Sequence, residues 1–171
     1  KPPKSIVYES GCEFKGVFNF LKKESTINEE VEITYSSKGD GSSEPENLLL
    51  FEDPTKNFYT DNLQNSWICF EFKKRKIIPL NYTIRTYNWT SNVSHLKSWV
   101  IEGSNDNSNW LVVDEEIDCP FLNGKSFVHT FNINNEQNKP FKYLRIRQTG
   151  PNWANYNFLK FDSIEFYGTL I

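Results

Sequence analysis

Residues 96–116 read LKSWVIEGSNDNSNWLVVDEE, and this stretch decides the fold. Lys97, Trp99, Ile101 and Gly103 alternate with Ser98, Val100, Glu102 and Ser104, the period-two spacing of a strand with two distinct faces. Residues 104–109 are small or polar, and Trp110, Leu111, Val112 and Val113 then resume the apolar pattern. Ser, Asn and Asp turn a chain because their side chains bond neighbouring backbone groups and tolerate left-handed dihedrals. The stretch is therefore a β-hairpin, and an antiparallel β protein is expected around it.

The chain on either side carries the same signature. Ser66 to Phe72 (SWICFEF) sets Trp67, Cys69 and Glu71 on one face and Ile68, Phe70 and Phe72 on a core face. Val31 to Tyr35, Ile77 to Arg85, Phe127 to Ile133, Phe141 to Arg147 and Phe158 to Leu170 supply further strands, with Ser5 to Tyr8 as a short first one. Phe14, Val17, Phe18 and Leu21 fall at spacings of three and four, which predicts a helical turn laid on the sheets. About eight strands at a turn spacing of roughly ten residues fit an all-β, two-sheet antiparallel sandwich.

WVIEGSNDNSNWLVVDEE, preceded by SWICFEF and followed by KYLRIRQTG and LKFDSIEFYGTL, resembles the coagulation factor V/VIII type C domains. These are the discoidin-like, galactose-binding-like domains. The resemblance implies a jelly-roll sandwich with long loops at one end, covering residues 1–171 as a single domain. HLKSWVIEGSNDN and RIRQTGPNW are most similar to intracellular members found in proteins that also carry BTB domains.

Bulk properties fit one core. The chain has 171 residues, 16% aromatic, and a net charge of −3, too little positive charge to compete for nucleic-acid phosphates. The basic run Lys73 to Lys76 reads as a solvated turn. Nothing approaches the length of a membrane span, and the start lacks the apolar core of a signal peptide. Cys12, Cys69 and Cys119 leave at least one thiol unpaired, which points to a reducing compartment and a cytoplasmic setting. The sequons at Asn81, Asn88 and Asn92 point the other way, and would matter only in a secreted chain.

Catalysis is not expected. His95 and His129 are the only histidines, and no nucleophile elbow, zinc-binding helix or phosphate-cradling glycine loop occurs. Many relatives in the family hold a structural calcium with an Asp in the first long loop and a Glu near the last strand. Here Leu50 and Ser163 stand at those positions, so no cofactor is expected and calcium is disfavoured. Phospholipid binding would need apolar loop tips ringed by basic residues. The tips here carry Asn and Ser.

Recognition remains, through loops held at one end of a rigid frame. Three loops mix rings with amides: 56–62 with Tyr59; 86–95 with Asn88, Trp89 and His95; and 149–157 with Asn152, Trp153, Asn155 and Tyr156. Rings stack on a sugar or anchor a peptide, while amides supply directional hydrogen bonds. Arg147, beside the last loop, is a ligand candidate, whereas Arg145 is expected to pair with Glu102. The sequence thus predicts a non-catalytic module for a protein or peptide partner, with lectin-like binding of galactose or related glycans as the alternative.

Overall fold

The structure, a computed structural model, describes residues 1–89 and 94–171. The strand β1 (Lys4–Ile6) is followed by helices α1 (Val17–Glu24) and α2 (Ile27–Glu30). Next come β2 (Val31–Tyr35), α3 (Asn47–Leu50), β3 (Phe58–Tyr59), β4 (Trp67–Phe72) and β5 (Ile77–Arg85). The chain continues through β6 (Trp99–Ser104), β7 (Leu111–Glu116), β8 (Val128–Asn132) and β9 (Tyr143–Gln148), and ends in β10 (Lys160–Phe161) and β11 (Ser163–Leu170). Two antiparallel sheets, ordered β1-β11-β5-β8 and β2-β4-β9-β6-β7, form the sandwich, and β3 pairs with β10 at one end. The strand count is eleven among the described residues, not about eight. The short first strand expected at Ser5 to Tyr8 is β1, and the strands not read from sequence are β3 and β10, of two residues each. Segments that short carry too few side chains to show a period. For the same reason Phe158 to Leu170, read as one strand, is two.

The deciding hairpin forms as read, with Trp99 opposite Glu116 and Gly103 opposite Leu111. A register shift after Ile101 pairs Glu102 with Val112, which lets Val113 turn into the core. Gly103 is required here: a Cβ would stand 2.5 Å from the Phe141 ring. Gly168 has φ +149°, where a Cβ would meet the Ile78 carbonyl at 2.0 Å, so the bulge in β11 also needs glycine.

The space between the sheets is filled by rings. Trp99 meets Phe131 edge-on at 5.4 Å, and Phe131 stacks on Tyr82 at 5.0 Å. Phe18 of α1 lies 5.5 to 5.9 Å from Phe70, Phe72 and Phe166, as the three-and-four spacing requires. One polar chain crosses this core: the Trp99 indole N–H donates to the Tyr82 hydroxyl (2.9 Å), which donates to Asp114 (2.6 Å). It satisfies groups that would otherwise cost about 1–3 kcal/mol each to bury. Helix α3 supplies an apolar plug, with Leu48 and Leu49 buried.

Candidate functional site

The β3–β10 pair organises one end of the sandwich. Phe58 pairs with Phe161 and Tyr59 with Lys160. Leu159 and Phe161 point into the core, so Phe158 and Lys160 alternate outward and are half-buried. Thr60 ties the segments again: its N–H donates to the Leu159 carbonyl (3.1 Å), and its hydroxyl accepts the Leu159 N–H (3.0 Å). Two adjoining hollows result. One of about 460 Å³ is lined by Tyr59, Asn62, Ser94, Tyr156, Phe158 and Lys160. The other, of about 350 Å³, is lined by Pro54, Thr55, Asn57, Asn88, Trp89 and Lys160. Lys160 belongs to both.

The larger hollow has an aromatic wall. Tyr156 and Phe158 lie 5.9 Å apart and tilted, and Phe158 meets Tyr59 edge-on at 6.4 Å. Tyr156 is 49% exposed, so its ring is available from solvent. Lys160 Nζ stands 4.8 Å from the Tyr59 ring centroid and 4.3 Å from that of Tyr87, and burial pulls its pKa down.

The nine residues singled out from sequence divide. Tyr59 and Tyr156 line the larger hollow, and Asn88 and the 60% exposed Trp89 line the smaller. Asn155 is exposed, with φ +64°, and lines neither hollow. Asn152 is buried and organises its own loop: Oδ1 accepts the N–H groups of Ala154 and Tyr156 (both 3.0 Å), and Nδ2 donates to the Phe158 carbonyl (3.1 Å). Trp153 points toward the hairpin exit, donating from its indole to the Cys119 carbonyl (3.1 Å) under Lys97. Arg147 is engaged with the buried Glu102 (3.0 Å), which Arg145 also holds at 2.6 Å while stacked 3.9 Å from Trp110. That pairing satisfies Arg147 on the outer face of the five-stranded sheet. The sequon at Asn92, and Thr90 of the sequon at Asn88, lie outside the described residues.

Asn62, Ser94, Phe158 and Lys160 were missed from sequence. The available signal was the alternation of Phe158 and Lys160 with Leu159 and Phe161, hidden because the whole segment reads as an apolar strand.

His95 lies beneath the site, not on its wall. It is fully buried and stacks on Tyr87 at 4.6 Å, and neither ring nitrogen has a hydrogen-bond partner among the described residues. Burial, with the charge of Lys160 nearby, pulls its pKa down to about 4. The unfolded chain takes up a proton near 6.5 and the folded one resists until about 4. Stability contributed by neutral His95 is therefore present above pH 6.5 and falls away as the pH drops toward 4, by about 3 kcal/mol. Urea unfolding of wild type and His95→Phe at pH 4, 5, 6 and 7 checks this: the Phe variant is expected to gain on wild type steadily below pH 6.5.

The residues do not fit a structural calcium. Leu50 and Ser163 stand where the resembled domains carry acids, and the cation beside Ser163 is the protein's own. The Arg85 guanidinium donates to Asp162 (2.6 Å), the Ser163 hydroxyl (3.0 Å) and the Phe51 carbonyl (3.3 Å). Among the described residues no three His, Cys, Asp or Glu side chains gather as a metal-binding group. Cys12, Cys69 and Cys119 are free thiols, and burial pushes Cys69 up to about 12.

Comparison with known proteins agrees with this architecture. No family model matches the chain. A family 32 carbohydrate-binding module from Clostridium perfringens, in complex with GalNAc-β-1,3-galactose, superimposes with a TM-score of 0.62 at 12% identity, over 81% of this chain and 95% of that one. The fold is galactose-binding-like. A second galactose-binding-like module of that family, from C. perfringens NanJ with galactose, gives 0.62 at 11% identity over 81% and 94%. The CBM32 of AlyQ, in complex with 4,5-unsaturated mannuronic acid, gives 0.59 at 18% over 81% and 95%. By sequence the chain is 26% identical over 129 residues to the Drosophila melanogaster E3 ubiquitin-protein ligase Ufd4, and 25% identical over 142 residues to the Caenorhabditis elegans ligase hecd-1. These matches cover 74% and 82% of this chain but about 5% of each ligase. Galactose-binding-like sandwiches are related to discoidin domains, and these structural neighbours are binding modules, some of them parts of glycoside hydrolases.

Proposed function

We propose that residues 1–171 form one non-catalytic module that binds a glycan in the larger hollow. The observation that carries this is the ring wall of Tyr59, Tyr156 and Phe158 facing the amide of Asn62 and the amine of Lys160. Flat apolar faces cover the C–H face of a sugar ring, and the polar groups fix its hydroxyls. Solved neighbours of the same fold are described with galactose, GalNAc-β-1,3-galactose and a mannuronic acid derivative, which supports a sugar over other ligands. Tyr156→Ala tests it. Because the ring is 49% exposed, the variant is expected to unfold within a few tenths of a kcal/mol of wild type, yet to lose at least about tenfold in glycan affinity by isothermal titration. Unchanged affinity in a glycan-binding chain would place the ligand elsewhere.

A second reading rests on the two ligases that share this stretch. In a protein of that kind the module would hold a protein or peptide partner in the cytoplasm. The likeness of HLKSWVIEGSNDN and RIRQTGPNW to intracellular members supports the same compartment. Retention of a defined peptide, with no sugar bound on an array, would move the assignment there.

A further inference from the structure

Lys160 is the one side chain common to both hollows, and its surroundings are unusual for a lysine. It is half-buried, with its ammonium set against the faces of Tyr59 and Tyr87. Among the other ring-facing lysines Lys97 pairs with Asp118, Lys142 with Glu71, and Lys22 donates to the Leu50 carbonyl, whereas Lys4 and Lys139 face one ring each and line neither hollow. Lys160 makes no ion pair among the described residues, and Thr90, Ser91, Asn92 and Val93 carry no carboxylate. An ammonium removed from water without a countercharge costs free energy that an arriving anion offsets, and the low-dielectric walls strengthen that attraction. The tyrosine faces offer its three N–H donors no oxygen acceptor, and the side chain lines both hollows.

We infer that the site selects an acidic oligosaccharide, with a ring carboxylate on Lys160 at the junction of the two hollows. This rests on the glycan reading above and narrows it. One sugar ring lies against Tyr59, Tyr156 and Phe158, and the chain continues past Lys160 toward Asn88 and Trp89. The ligand therefore spans at least two rings, and a neutral sugar leaves the ammonium unpaired.

The test is a glycan array carrying uronic-acid and sialic-acid oligosaccharides beside their carboxyl-reduced counterparts, with peptides rich in Asp and Glu as a further arm. Hits are titrated calorimetrically at low and high salt. An acidic ligand is expected to bind about tenfold or more tightly than its reduced form, with the gap narrowing at high salt. Lys160→Met and Lys160→Gln, checked for folding by thermal unfolding, are expected to erase that gap, costing the acidic form about tenfold more than the reduced form. Equal binding of acidic and reduced sugars overturns this inference and leaves the glycan reading standing. So does a folded Lys160→Met that loses both forms equally. Binding of acidic peptides with no sugar bound, or of nothing on the array, overturns both.

Discussion

Arg85→Met is expected to lower stability by about 3 kcal/mol, among the largest losses of any single substitution outside the ring core. Arg85 is part-buried and Asp162 fully so, with Arg85 Nη2 only 2.5 Å from the carboxylate. Burial, and to a lesser degree the charge of Asp53, pushes Asp162 up, and the Ser163 hydroxyl and Arg85 pull it part of the way back. Without the guanidinium, the carboxylate is left in the interior with one hydroxyl donor, and the Phe51 carbonyl loses its bond. The loss is expected to reach the candidate site, because Phe51 (φ +64°) opens the segment that carries Pro54, Thr55 and Asn57 to the smaller hollow. Urea unfolding of Arg85→Met, Asp162→Asn and the double variant checks the pairing. The double variant should lose clearly less than the sum of the singles, whereas simple additivity would show that the two groups act independently. Added calcium or a chelator is expected to leave the midpoint where it was, since the cation is covalently part of the chain.

Glu165→Ala is expected to cost about 4 kcal/mol, through hydrogen bonds and not through charge pairing. The carboxylate lies wholly inside the sandwich and accepts four backbone N–H groups: Phe18 and Phe166 on Oε1 (2.8 and 3.0 Å), Gly16 and Asn19 on Oε2 (both 3.0 Å). Three of these N–H groups belong to the start of α1, whose N-cap residue, Gly16, has no side chain to cap with. A carboxylate from β11 thus does the capping, and it also meets the positive end of the helix. Burial pushes its pKa up to about 7 against the pull of those donors. The comparison therefore belongs at pH 8, where the group is ionised. There Glu165→Gln should also lose about 2–3 kcal/mol, because an amide turns its own N–H₂ toward two N–H donors. A Gln variant as stable as wild type would show that shape, and not acceptor count, is what α1 requires.

Both residues illustrate the limit of reading along the chain. Ser163 departs from the Glu of the domains the sequence resembles, yet nothing near it in sequence announces that a cation arrives from Arg85, 78 positions away. The Glu102–Arg145 pair was foreseeable because both sit mid-strand on outward-facing positions, and β6 and β9 place them opposite one another. That Arg147 would share the same carboxylate was not foreseeable. It depends on Glu102 being buried deeply enough to need both guanidinium groups.

The site shows the same division. Tyr59, Tyr156, Asn88 and Trp89 could be picked from sequence because aromatic residues amid Asn, Ser and Thr in a turn are out of place unless they touch something. His95 and Asn152 have the same composition around them and are buried instead, one under Tyr87 and one knitting its own loop. Composition is blind to which side of a loop faces water.

By itself the sequence determined the sandwich. Strand faces follow from a period of two, turns from Asn, Ser and Gly, and the position of α1 from ring spacing, all of them local properties written within ten residues of where they act. Only the tertiary structure assembled the candidate site. Pairing Tyr59 with Lys160 brings together segments a hundred residues apart, and it is this closure that takes an ammonium partly out of water and leaves its charge facing an open cleft.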